Sequence, residues 1–227
     1  MRGEMIRFEA NGGTAPGYLV TPEPGRGGPG LVLLQEWWGL VDHIKDVADR
    51  FAGAGFVVLA PDLYDGQQTK SPDQAAKMFM ALRIGEAAKD IRGAARHLIA
   101  RADVTPKNVG VVGFCMGGQL ALYAAQEYPE EFGAAVDFYG VHPNVPIDPA
   151  KVRVPVQLHF GKRDTNVPEA KARELVERLS EGSSPVDAHF YDADHAFFND
   201  TRPEVYDSAA ADDAWTRTVA FFIKHLS

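Results

Sequence analysis

Apolar residues along the chain fall into short runs separated by stretches with helical spacing. Leu31 to Leu34, Phe56 to Ala60, Val109 to Phe114, Ala134 to Phe138 and Val154 to Phe160 are of strand length, and their near-continuous apolar character predicts strands covered on both faces. Between and after them, Ala87, Ile91, Ala94 and Leu98 recur at helical intervals, as do Ala172, Leu175, Val176 and Leu179, and again Trp215, Val219, Phe222 and Leu226. Strands alternating with helices imply βαβ units, hence an α/β fold with a mostly parallel, doubly wound sheet. The start differs: Met5 to Phe8 and Tyr18 to Val20 flank Asn11-Gly12-Gly13, the pattern of an antiparallel hairpin at a sheet edge.

With 227 residues, one domain spanning residues 1–227 is expected. The Gly- and Pro-rich stretch Thr21 to Gly30 joins strands of one sheet and is read as a connection rather than a boundary. Its Gly25, Gly27 and Gly30 spell G-x-G-x-x-G but lead into a strand, whereas a dinucleotide site needs them after a strand and opening a helix. Asp65 to Leu82, with a helix beginning near Ser71-Pro72, is long enough to overhang a site. A net charge of −8 disfavours nucleic acid as a partner. One cysteine permits no intrachain disulfide, no segment has the apolar length of a membrane span, and charges interrupt the first ten residues where a signal peptide would be apolar. These features predict a soluble cytoplasmic protein, a monomer or weak homo-oligomer.

That cysteine carries the chemistry. Gly113-Phe114-Cys115-Met116-Gly117-Gly118 follows an apolar strand and precedes the helical stretch Gln119 to Tyr128, so it reads as a strand-to-helix elbow. A nucleophile pointing out of so tight a turn needs small residues two before and two after it. A free cysteine is most often a buried apolar residue; with 22 glycines in the chain, the flanking pair arises by chance about once in a hundred cysteines. A thiol at a helix start favours reactivity.

Such a nucleophile is served by an acid and then a histidine, later in the chain and past strand ends. Asp164 follows the strand ending at Phe160, and His195 follows the strand Val186 to Tyr191. His142 is the weaker alternative base, and Asp137, Asp192 and Asp194 are the weaker acids. The backbone amides of Trp37, after the strand ending at Leu34, and of Met116 are placed to form an oxyanion hole. Glu36 in the same loop is either solvated or set beside the thiol. The aromatic residues Trp37, Trp38, Tyr64, Phe197 and Phe198 flank the expected site, as pocket wall or as core. Histidines without i, i+4 pairs give no metal site, and no cofactor is implied.

Taken together, Gln35-Glu36 with Gly39, Pro61-Asp62-Leu63-Tyr64, Gly113-x-Cys115-x-Gly117-Gly118, Asp164 and His195-Ala196-Phe197 resemble the dienelactone hydrolase family. The resemblance covers most of the chain. It implies the three-layer α/β-hydrolase fold, with Cys115, His195 and Asp164 as catalytic triad and Glu36 as acceptor for the resting thiol. It also implies a small ester or lactone as substrate, cleaved through a thioester. One position departs from the family pattern. An arginine that holds the substrate carboxylate stands four residues after the catalytic histidine in members acting on dienelactone, and here that position is Asn199. A neutral amide does not replace a guanidinium fork, so the resemblance alone does not imply the namesake substrate. Arg83, Arg163 and Arg202 are read as solvated surface side chains rather than replacements. A thioesterase or peptidase using the same triad, and a silent ligand-binding member of the fold, are the alternative readings.

Overall fold

The computed structural model describes residues 3–23 and 26–226; Gly25 of the glycine triplet lies outside them. Its elements are β1 (Glu4–Ala10), β2 (Gly13–Val20), β3 (Gly30–Leu34), α1 (Asp42–Gly53), β4 (Val57–Pro61), α2 (Pro72–Ala81), α3 (Ile84–Ala100), β5 (Val109–Phe114), α4 (Met116–Glu127), β6 (Phe132–Phe138), β7 (Val156–Gly161), α5 (Glu169–Ser180), β8 (Val186–Tyr191) and α6 (Ser208–His225). The eight strands form one sheet in the order β1-β2-β4-β3-β5-β6-β7-β8. Pairing is parallel from β4 to β8, and β1 and β2 form the antiparallel edge.

Each central strand obeys its composition. Every residue of β3, β4 and β5 is buried because helices cover both sheet faces. α1 and α6 share one face, where Phe51 and Trp215 lie 4.4 Å apart between ring centres. α3, α4 and α5 pack on the other. The hairpin turns at Asn11 and Gly12, both with positive φ (48° and 76°), the conformation that makes Asn-Gly the favoured two-residue turn.

Two boundaries differ from the apolar runs. β7 starts at Val156, since Pro155 has no N–H for the ladder and offers only its carbonyl, to Ala135. α4 starts at Met116, three residues before the expected helical stretch, because its glycines let the helix begin directly at the elbow. Helix α2 starts at Pro72, capped by Ser71, whose Oγ accepts from the Gln74 amide at 3.4 Å. Among the described residues no helix is long and apolar enough to cross a membrane.

The topology sets the site. Parallel strands align their carboxyl ends, so the loops after β3, β5, β6, β7 and β8 meet along one edge of the sheet.

Candidate active site

Cys115 stands between β5 and α4 with φ 55° and ψ −117°, a conformation that costs a non-glycine residue strain and persists because the surroundings impose it. Its amide donates to the Phe138 carbonyl at 2.8 Å, and its carbonyl accepts from the Gly118 amide at 3.0 Å. A Cβ on Gly113 would run into the Gly117 carbonyl, and one on Gly117 into the Gln35 carbonyl. The two glycines thus fit the elbow between its own backbone and that of β3. The sulfur-bearing residue is half-buried.

His195 lies in the loop after β8, and its Nδ1 donates to Asp164 Oδ2 at 2.7 Å. Asp164 is fully buried at its side chain and is fastened by its other oxygen, which accepts from the amides of Asn166 at 2.7 Å and Val167 at 2.8 Å. Burial pushes the His195 ring toward neutrality. The charge of Cys115 and hydrogen bonds to Asp164 and Cys115 outweigh it and carry the ring up to about 10. The other side of the imidazole therefore faces the sulfur.

The alternative acids and base are engaged otherwise. Asp192 and Asp194 pair with Arg163 at 2.8 and 3.5 Å. Asp137 is sealed beneath the elbow, where burial drives its carboxyl well above the usual range and Gly140 donates to it at 2.8 Å. His142 is nearby, but its ring packs edge-on against Phe79 at 4.4 Å and its Nδ1 accepts from the Asn144 amide.

Glu36 is 1% exposed, which excludes the solvated reading. Its Oε2 accepts from Asn199 Nδ2 at 2.9 Å, a contact joining residues 163 apart in the chain. Its Oε1 is buried without a partner at good hydrogen-bond geometry among the described residues, with the Tyr139 phenol close enough to interact with the carboxylate. Beside it lies Tyr139, a residue the sequence reading missed. It is fully buried with φ 47°, and burial first, then the neighbouring charges of Glu36 and Cys115, push its phenol up. Its ring stands edge-on to His195 at 5.0 Å. The signal was its position directly after β6, the same placement that singled out Glu36 and Asp164. The amides of Trp37 and Met116 have no acceptor among the described residues.

These groups open onto a cavity of about 310 Å³. Its lining includes Glu36, Cys115, Met116, Tyr139 and His195, together with Trp37, Trp38, Val141, His142 and Val167, and Ala76, Phe79 and Met80 of α2. The expected overhanging segment thus contributes wall residues. Trp38 lines the cavity, but Tyr64, Phe197 and Asn199 do not. Tyr64 donates to Met116 Sδ at 3.1 Å from behind, Phe197 packs between Tyr139 and Tyr191, and Asn199 backs Glu36. Phe198 packs into the aromatic core against Phe114 and Phe138. Of the three arginines, Arg83 is exposed, Arg163 serves its aspartates, and Arg202 is partly exposed and also lines the cavity. Among the described residues no three His, Cys, Asp or Glu side chains gather to hold a metal ion.

Comparison with known proteins identifies the family and the fold. The sequence profile of the dienelactone hydrolase family matches residues 15–226. Protein usf of Aquifex pyrophilus is 36% identical over 232 residues, spanning 99% of this chain and 100% of that protein. A carboxymethylenebutenolidase from a Pseudomonas strain is 30% identical over 214 residues, spanning 89% of this chain and 88% of its own. The crystal structure of a dienelactone hydrolase from Anabaena variabilis shares the fold, with a TM-score of 0.73 over 100% of this chain and 99% of that one at 24% identity. The chain belongs to the dienelactone hydrolase family and is a hydrolase of the class that opens esters and lactones.

Proposed function

We propose that the protein cleaves small esters or lactones through a Cys115-His195-Asp164 triad and a thioester intermediate. The observation that carries this reading is the His195 ring, tied at Nδ1 to a buried Asp164 at 2.7 Å while its other side faces a cysteine held in a strained elbow. An imidazole so fixed has one nitrogen free to exchange protons with the nucleophile and the leaving group.

In the first half-reaction substrate displaces the Cys115 thiol from Glu36, and the thiol proton passes to His195 Nε2, whose affinity burial lowers but the thiolate's charge carries up to about 10. Cys115 Sγ then bonds to the substrate carbonyl carbon. The carbonyl π electrons move onto oxygen, where the Trp37 and Met116 amides stabilise the charge; losing one such donor costs roughly 10² to 10³ in turnover. The C–O bond then breaks, and His195 returns the proton to the departing alkoxide, which in a lactone stays tethered to the acyl group. In the second half-reaction water attacks the thioester while His195 takes its proton. The C–S bond breaks, and the proton returns to sulfur. Glu36, held by Asn199 on one oxygen and neighboured by the Tyr139 phenol, accepts the resting thiol's hydrogen bond until substrate displaces it. A reducing compartment such as the cytoplasm suits a mechanism that runs on one free thiol.

The test is hydrolysis of a panel of simple esters and lactones by the wild type and by Cys115→Ala. Loss of turnover across the panel in the variant is expected; equal rates would end this reading.

A further inference from the structure

The charges around the cavity do not balance in favour of an anion, and this bears on what the site accepts. Its lining carries the Glu36 carboxylate, which has the Asn199 amide and the Tyr139 phenol as neighbours and no ion-pair partner among the described residues. The cations that would offset it are already engaged. His195 is committed to Asp164 and Cys115. Arg202 spends its Nε on Glu204 Oε1 at 2.9 Å and lays its guanidinium over the Trp38 ring at 6.0 Å, so it arrives with its own counter-charge. His142 is held toward neutrality by burial. No lysine lines the cavity.

Position 199 offers nothing to a carboxylate either. Asn199 Nδ2 is donated to Glu36, and Asn199 Oδ1 accepts from the amide and hydroxyl of Thr201 at 3.1 and 2.6 Å. The remaining wall is large and apolar, with Trp37, Trp38, Phe79, Met80, Met116 and Val141. A carboxylate brought there would lose much of its hydration, would find only a partly exposed Arg202 that already carries Glu204 as counter-charge, and would meet Glu36 at short range.

Resting on the catalytic reading above, we infer that the site selects an uncharged ester or lactone bearing an apolar group of aryl size and rejects one with a carboxylate on that group. The selection comes from two features: Glu36 repels, and the aromatic wall supplies contact area only to an apolar group.

The test compares phenyl butyrate, 3-carbamoylphenyl butyrate and 3-carboxyphenyl butyrate, the last two alike in size and differing in charge. The expected kcat/KM for the carboxylate ester is on the order of tenfold below that of the carbamoyl ester, with the gap narrowing as salt screens the repulsion. Equal kcat/KM for the two, or a preference for the carboxylate, overturns the inference. A second arm uses Phe79→Ala, which is expected to lower the phenyl butyrate to ethyl acetate ratio of kcat/KM on the order of tenfold; an unchanged ratio removes the aromatic wall from the account. Cys115→Ala, run on all three esters, separates the two readings. Persisting turnover there defeats the catalytic proposal, whereas the ratios judge only the selectivity.

Discussion

Asp164 divides its two oxygens between His195 and its own loop: Oδ2 lies 2.7 Å from His195 Nδ1, and Oδ1 accepts from the amides of Asn166 and Val167. The carboxylate therefore fixes both the imidazole tautomer and the segment from which it reaches. Asp164→Asn retains the size but puts an NH₂ on one side, so it either faces His195 with a donor or abandons the loop amides. Turnover is expected to fall by about 10² to 10⁴ with the fold retained. Steady-state kinetics beside circular dichroism checks this, and a loss below tenfold would count against the triad.

The proton on His195 links site and stability. Its folded affinity, up to about 10, exceeds the ordinary value of about 6.5. A group raised in this way stabilises the fold fully below pH about 6.5, and the contribution is lost as pH rises through about 10. Urea unfolding of wild type against His195→Gln should show the larger difference near the acidic end of that window and a shrinking one toward its alkaline end. A difference that grows with pH would contradict the assignment.

Removing the Asn199 side chain leaves Glu36 Oε2 buried without its donor. Asn199→Ala is expected to cost about 1–3 kcal/mol of stability. It should also change the pH dependence of Cys115 alkylation by iodoacetamide, an effect that Glu36→Gln already in place should abolish. Alkylation profiles that coincide in all variants would remove Asn199 from the site's electrostatics.

A methyl at the elbow is a steric test. In Gly117→Ala the new Cβ meets the backbone carbonyls of Gln35 and Leu34, which belong to the neighbouring strand and its loop and have little room to yield. A loss of about 1–3 kcal/mol is expected from thermal unfolding, together with reduced turnover as the Met116 amide shifts. Wild-type stability and rate in this variant would mean that the elbow is looser than described.

Most of the framework was legible because it depends on local rules. The runs behind β3, β4 and β5 are apolar throughout since both faces are covered, Asn11-Gly12 favours its turn by backbone conformation, and glycines bracket Cys115 because nothing larger fits. Placement past strand ends also pointed to Asp164 and His195, which the fold brings together at hydrogen-bond distance. The rest depends on contacts across the fold. No spacing rule joins Asn199 to Glu36, and none tells whether a loop aromatic faces a cavity or the core behind it. Tyr64 and Phe197 therefore read as pocket residues and lie behind the wall. Phe79 and Met80 enter the site only because α2 folds back over the sheet edge, and Arg202 because it settles on Trp38.

The central claim is a covalent bond between the acyl group and one sulfur atom. Intact-protein mass spectrometry after rapid acid quench of the enzyme with excess phenyl butyrate measures it directly. The account predicts a single butyryl adduct, mapped to Cys115 by peptide analysis, lost with hydroxylamine and absent from Cys115→Ala treated in parallel. Turnover of the ester with the thiol free throughout, or an adduct on another residue, would contradict it.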